Sequence, residues 1–386
     1  MYSVKLRSSR ERNRYSIGRG LAREADIILH SDTIFSAICN NMRKASGAGV
    51  LDKFLQAMRG KKPAPFKISS GFHYFEITSP GRQPATVFFV PKPRIKFPFT
   101  AAGQVEVTEH PKTFKRIRFI SLAIALKLQR GEKLGFSKNH VIGGNYLVDD
   151  EDLAKMGLDA VVAPRPSGFD PKVIFDKIRP YTILEQHRVV KDRVVNSSDP
   201  FTTFVLAFPQ VDYYVPSNGS RQSFTLQAGL YFLIEDGGLP PENLGQVVQA
   251  IRLVKDGGIG GKRSLGCGLC DGVEIAALDD KQGLFQLVRR GEGRFHVNIS
   301  LVHPTNEDIP AIVDFNLLPR DGFIHSNGNT SRRFKDVKFI EEGSVFSTRV
   351  AGGLPQVAPA DFSSTRHEVY KYGIGMYYAV KGSEDE

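Results

Sequence analysis

The chain is poor in three things. Cysteine occurs only at positions 39, 267 and 270 of its 386 residues, too few for a disulfide framework, which points to a reducing compartment. No stretch reaches the roughly 18 apolar residues that a membrane helix needs. The opening MYSVKLRSSRERN is charged within its first seven residues and lacks the apolar run of a signal peptide. A cytoplasmic protein with no membrane partner is therefore expected. Acid is the third shortage: 41 Asp and Glu face 52 Lys and Arg, a net charge of +11. That excess fixes no fold, but it favours a polyanionic partner, nucleic acid ahead of an acidic lipid surface. Strict repeats and low-complexity tracts are missing too.

What is present is a globular composition, 41% hydrophobic and 24% charged, in a chain long enough for two domains. YSVKLRS reads as a strand. ILHSDTIFSAICNNMRKASG reads as a helix, with Ser31 or Asp32 placed to cap it, Ile34, Phe35, Ile38, Cys39 and Met42 at helical spacing, and Gly47 and Gly49 ending it. FKISSGFHYFEIT and ATVFFVPKPRI read as strands. RIRFISLAIALKLQRG is either helical or a strand-to-helix passage. Residues 135–225 are rich in turn clusters such as PRPSG, NSSDP and PSNGS. LQAGLYFLIE predicts a strand, PENLGQVVQAIRLVKD a helix and CDGVEIAAL a strand. FHVNISLVH, IVDFNLLP, GSVFSTRV and KYGIGMYYAV add strands to the last third. Helices and strands interleave as in an α+β fold.

Between that last helix and its strand lies DGGIGGKRSLGCGLCDG, residues 256–272. A nucleotide-binding P-loop requires G-x-x-x-x-G-K-[ST] between a strand and the next helix, whose N-terminus completes the phosphate cradle. Taking Gly261-Lys262 as the G-K pair puts Asp256 where the first glycine belongs and Arg263 where the magnesium-binding hydroxyl belongs. The element order is also inverted, helix first and strand second. What remains is a flexible backbone tipped by two cations and a hydroxyl. Glycine permits close approach and positive φ, and consecutive amides can form an anion nest. The plainer reading, a tight helix-to-strand connection with surface charges, stays open beside it.

GGIGGKRSLGCG resembles the glycine-rich loop of the RAMP proteins, the RNA-binding subunits of CRISPR effector complexes. Other segments agree with it in order along the chain. ILHSDTIFSAICN is similar to the first-helix signature of the type III-A (Csm) subunit that caps the crRNA 5′ end, and FFVPKPRI to its strand ending in Pro-Lys-Pro. HRVVKDRVV resembles its thumb region, and RDGFIHS and EEGSVFSTRV two segments of its C-terminal half. The similarity covers most of the chain, with gaps at 46–84 and 135–180. Cys267 departs from the family, which usually carries an aromatic or another residue after Ser-x-Gly.

The resemblance implies two ferredoxin-like (RRM-type) domains, at 1–278 and 279–386. The first would carry a loop-rich thumb insertion at about 135–225 and the glycine-rich loop at 257–268. It implies a non-catalytic subunit that grips the 5′ handle of the crRNA and joins the large polymerase-like subunit to the backbone RAMP subunit. Its thumb would wedge into the guide–target RNA duplex, with no cofactor or metal. Gly258, Gly260, Gly261, Lys262, Arg263 and Ser264 are the expected phosphate contacts. Ser31 and Asp32 are candidates through the free amides of their helix N-terminus, and His187 and Arg193 through the thumb motif. Arg10, Arg12 and Arg14 would form a binding arm or an exposed charged loop. Tyr15, Phe88, Phe89, Phe97 and Phe99 would stack bases or fill the core, and Val211, Tyr213 and Tyr214 would supply apolar groups at the thumb tip. Besides a bare interaction scaffold with no RNA contact, two rivals stand apart from this reading. One is an RNA-cutting enzyme with His30 as general base. The other is a zinc module built on Cys267 and Cys270, with His296 and His303 to complete the usual four ligands.

Overall fold

The computed structural model describes residues 1–8, 13–18, 26–60, 63–158, 175–191, 198–217, 220–279, 281, 283–289, 291–324, 332–363 and 368–382. The architecture is a mixed α+β fold with several sheets. Its centre is built from β1 (Tyr2–Arg7), α1 (Ser31–Ser46), β2 (Phe72–Thr78), β3 (Ser220–Asp236), α2 (Pro241–Arg252) and β4 (Gly272–Ala277). The four strands lie in the order β4-β1-β3-β2, antiparallel throughout. Residues 230–234 of β3 form an unbroken apolar run, each at most 1% exposed, because both faces of this central strand are covered. Helices α1 and α2 pack side by side, with the Asn41 amide donating to the Ala250 carbonyl at 3.0 Å. Ile34, Phe35, Ile38 and Met42 face the core together with Val247 and Ile251, as their helical spacing predicts.

Beyond β2 the sheet continues through Ala85–Pro91, Phe119–Ser121 and two short strands at 141–142 and 146–147. RIRFISLAIALKLQRG proves to be the strand-to-helix passage: Ser121 ends the strand, and its hydroxyl caps the helix Leu122–Arg130 by accepting from the Ile124 amide. Gly47 closes α1 with φ of 88°. A second helix, Ala48–Gly60, begins at once, so Gly49 starts a helix and does not end one.

Within 135–225 the described residues are more regular than the turn clusters suggest; PRPSG lies outside the described residues. A helix at Asp150–Lys155 starts on a capping box between Asp149 and Asp152. Two long antiparallel hairpins follow. Thr182–Lys191 pairs with Ser198–Ala207, and Gln210–Ser217 pairs with the first half of β3. The first strand of the first hairpin has no fully buried residue, with Leu184, Gln186 and Arg188 half-buried on one face and the other face exposed, so its sequence lacks the one-sided apolar alternation that betrays a strand.

In the last third, the strands Ile312–Asp314, Val345–Phe346, Phe295–Asn298 and Tyr377–Val380 form a four-stranded antiparallel sheet. The main core does not stop at residue 278: Val297, Ile299, Tyr372, Met376 and Tyr378 belong to the same cluster as the β1–β4 core. Two smaller clusters lie wholly within 301–377. Among the described residues no helix is long and apolar enough to cross a membrane.

A buried ionic seam joins the two halves. The Arg320 guanidinium donates to both Asp32 carboxylate oxygens at 3.1 and 3.0 Å, and the Lys371 ammonium donates to Asp32 Oδ2 at 3.0 Å. Just before α1, His30 Nδ1 donates to Glu342 at 2.9 Å and Nε2 to Asp26 at 2.7 Å. His30, Asp32 and Glu342 have no exposed side-chain surface. Burial would lower the His30 imidazole, but Glu342 and Asp26 together push it up to about 10. Burial would likewise raise the Asp26 and Asp32 carboxyls, and their cationic neighbours hold both well below the usual carboxylate range.

Breaking such a buried pair strands a charge and is worth about 3–5 kcal/mol. Arg320→Ala is expected to lower the unfolding free energy by that amount in urea titrations. The seam also sets a pH window. The Asp26 and Asp32 contribution is present above their ordinary value of 3.8 and lost as pH falls below it. The His30 contribution is full below 6.5 and lost as pH rises towards 10. Melting temperature measured across pH should fall on both sides, and His30→Gln should flatten the alkaline limb.

Candidate nucleic-acid interface

The glycine-rich loop leaves α2 through a short turn of helix, Val254–Gly257, and folds on itself before entering β4. Its base is tucked in: Gly258, Ile259, Cys267, Gly268 and Cys270 are buried. The Ile259 amide donates to the Gly268 carbonyl at 3.0 Å. A Cβ on Gly268, whose φ is 76°, would lie 1.9 Å from the Ile259 carbonyl oxygen, and one on Gly260 would lie 2.8 Å from the Ser16 carbonyl oxygen. These two glycines are demanded by the loop's own packing. The tip is at the surface, with Gly261, Ser264, Leu265 and Gly266 exposed and Lys262 and Arg263 half-buried. Lys262 is the one non-glycine described residue with positive φ, 51°, a conformation that costs an L-residue about 1–2 kcal/mol. Amides of Leu265 and Cys267 donate to its carbonyl at 2.9 and 3.4 Å, closing a 3-10 turn over Arg263–Leu265.

Two other segments meet the loop. The Gly261 amide donates to the Ser16 carbonyl at 2.9 Å, and the Gly268 amide donates to the Arg14 carbonyl. The uninterrupted row of free loop amides that the glycine content suggests is therefore not formed. Arg14–Tyr15 in turn pairs with Leu206 and Ala207, at the base of the first hairpin. Lys262 Nζ lies 6.0 Å from the centre of the Phe201 ring, and Phe201 stands opposite Arg188 in the hairpin ladder. Arg188, Lys262 and Arg14 are close enough to act on the Cys267 thiol, which burial nevertheless raises above its ordinary value. Burial, and then the like charge of Arg188, lower the Lys262 ammonium. Among the described residues no carboxylate pairs with Arg14, Arg188, Lys262 or Arg263, and Arg188 Nε is buried with no acceptor. A cluster of cations held together without acid is what a bound polyanion satisfies. Exposed apolar groups border it: Leu265, Val189, Val190 and Phe201.

The structure separates the remaining candidates. His187 alternates away from Arg188 on its strand, shares a hydrogen bond with the Thr202 hydroxyl at 3.2 Å and is largely exposed. Arg193, Arg10 and Arg12 lie outside the described residues. Ser31 and Asp32 are a correction: both are fully buried and neither caps α1, whose N-cap is His30. Ser31 Oγ accepts from the Leu301 amide at 3.0 Å and Asp32 is occupied by Arg320 and Lys371, so this helix start is sealed by the C-terminal half. His30 belongs to the same seam; buried and held protonated, it has no free lone pair with which to act as a base.

Tyr15, Phe89 and Phe97 are core residues. Phe88 packs on Tyr231, and Phe99 on Phe114. Tyr213 stacks on Phe224 with ring centres 5.2 Å apart, while Tyr214 is 68% exposed. Both sit within a strand of the second hairpin, not at its tip. Cys267 and Cys270 are buried thiols. Among the described residues no group of three or more His, Cys, Asp or Glu could hold a metal ion. The sequence does not reveal Arg188 and Phe201 as site residues, because nothing local tells that the hairpin lies against the loop.

Residues 291–380 match the CRISPR Csm4 C-terminal domain. Over 94% of its length the chain is 23% identical to the CRISPR system protein Csm4 of Methanocaldococcus jannaschii, covering 93% of that protein. The chain is a Csm4 relative. It shares its fold with a chain of the Csm3–Csm4 subcomplex of a type III-A CRISPR-Cas interference complex, at a TM-score of 0.63 and 17% identity over 98% of this chain and 99% of that one. A chain of a Csm1–Csm4 cassette in complex with cA4 matches at 0.53 and 19% identity, over 99% of this chain and 98% of that one.

Two glycines of the loop separate packing from backbone strain. Gly268→Ala forces a Cβ into the Ile259 backbone and is expected to destabilise this Csm4-like chain by about 2 kcal/mol or more. Gly266→Ala, with nothing within 4 Å of its Cβ, should cost only the left-handed strain. Urea unfolding of the two variants side by side checks the difference.

Proposed function

We propose that this chain is the non-catalytic subunit of a type III-A CRISPR effector that holds the 5′ handle of the crRNA. The observation that carries the proposal is the convergence of the glycine loop, residues 14–17 and the first hairpin into one surface. There Arg14, Arg188, Lys262 and Arg263 stand together, with no acid among the described residues paired to them. Backbone phosphates of a single strand fit the cations, and exposed Phe201 offers a face on which a base can stack. Gly258, Gly260, Gly261 and Ser264 shape the loop around those phosphates. The βαββαβ order with strands 4-1-3-2 supports a ferredoxin-like reading of residues 1–278, with 279–386 as its C-terminal companion. The two hairpins within 182–225 serve as the thumb, which reaches the guide–target duplex, with His187 on its first arm.

The solved relatives were captured with Csm3 and with Csm1. By analogy, this chain joins the backbone RAMP subunit to the large polymerase-like subunit in the cytoplasm. The burial and charge of His30 argue against the metal-independent nuclease.

Charge reversal of Lys262 and Arg263 is the direct test. In a complex assembled with repeat-containing RNA, the double variant is expected to weaken handle binding by about tenfold or more and to abolish crosslinks to the guide 5′ end. Its salt dependence should drop by a slope of about 0.7 for each phosphate that is no longer neutralised. Unchanged binding would mean a scaffold without RNA contact.

A further inference from the structure

A second basic cleft lies on the far side of the first hairpin, and nothing in the handle-binding surface uses it. Its volume is 310 Å³, and Thr113, Arg116, Gly144, Asn145, Asp176 and Arg179 line it. Arg116 and Arg179 are exposed, as are Arg118 and Lys177 beside them. Among the described residues none of these four cations is paired with a carboxylate; Asp176 is the one acidic residue in the lining. Arg179 is held in place: its amide donates to the Tyr213 hydroxyl at 2.9 Å and its guanidinium reaches the carbonyls of Asp176 and Ile178. The floor is a turn in which Gly143 and Gly144 both take positive φ, 59° and 76°. The Gly143 amide is satisfied by the Phe175 carbonyl. Above Gly144 nothing lies within 4 Å of where a Cβ would stand, so the backbone there is open to a ligand.

We propose that this cleft binds a second phosphodiester of the same single-stranded RNA that the glycine loop holds, a proposal that rests on the RNA-binding reading above. Topology supplies the argument. Arg179 lies just ahead of Thr182–Lys191, one edge strand of a three-stranded sheet whose other edge strand, Arg14–Tyr15, carries the contact to the loop. At about 4.8 Å per strand the two edges are about 10 Å apart. That is within the span of even the shortest single-strand sites, about 4 nucleotides. A strand gripped at the loop can cross the hairpin base and place a phosphate between Arg116 and Arg179. Two guanidiniums in the lining of one cleft suit an oxyanion with several acceptors.

The test compares two charge-reversed pairs of the full chain, each checked for an unchanged melting temperature, in anisotropy titrations against a 5′-labelled handle RNA over a range of salt. Arg116→Glu with Arg179→Glu is expected to weaken binding about tenfold and to lower the salt slope by about 0.7 for the one phosphate released, with Arg116→Gln and Arg179→Gln giving a smaller effect. Should this pair leave affinity and slope unchanged while Lys262→Glu with Arg263→Glu abolishes binding, the cleft proposal fails and the handle reading stands. Should neither pair affect binding, both fail. Should the cleft pair spare RNA binding but prevent co-purification with a neighbouring subunit, the cleft is a protein contact and the proposal is overturned.

Discussion

The organisation of the molecule depends on a neutral, buried arrangement of charge at the start of α1. Three carboxylates, Asp26, Asp32 and Glu342, face three cations, His30, Arg320 and Lys371. An ion taken from water is tolerated only where its partners and hydrogen bonds replace the lost hydration. Apart from the local pair Asp26 and His30, both requirements are met here by residues that come together only when the two halves dock. The seam therefore does more than add attraction, since it penalises every alternative docking that would leave one of these groups unmatched.

The same β1-to-α1 connection serves two purposes. Residues 14–17 run between the glycine loop and the first hairpin, while residues 26–32 enter the seam. The surface proposed for RNA and the joint between the halves are thus tied to one stretch of chain. Histidines show how strongly environment decides chemistry within this fold. His30, between two carboxylates, is held charged. His73, buried among Phe119, Tyr146, Tyr181 and Phe208, is lowered to about 3 by burial and stays neutral, donating to the Ile27 carbonyl.

The surface around Lys262 follows a different logic. Its cations are brought near one another by backbone pairing, Gly261 to Ser16 and Tyr15 to Leu206, and the sheet hydrogen bonds sustain a repulsion that side chains alone would relieve by moving apart. The positive φ of Lys262 belongs to the same picture. That conformation is held at the surface tip of the loop by the 3-10 turn over Arg263–Leu265, which closes on the Lys262 carbonyl.

The sequence by itself determined the elements with one-sided or unbroken apolar patterns: α1, α2, β3 and β4, and the glycine loop between the last helix and strand of the β1–β4 unit. Their periodicity is local and reflects which face is dry. It also excluded a P-loop, because that motif is a matter of order along the chain. Only the tertiary structure decided what Asp32 and His30 do, since Arg320, Lys371 and Glu342 lie 288, 339 and 312 residues away from them and nothing in HSD distinguishes a cap from half of a buried ion pair. The first hairpin, too, was invisible in TILEQHRVVK, for a strand without a fully buried face carries no apolar pattern. Its position against the loop, which makes Arg188 and Phe201 part of one surface with Lys262, is a property of strand pairing across the fold.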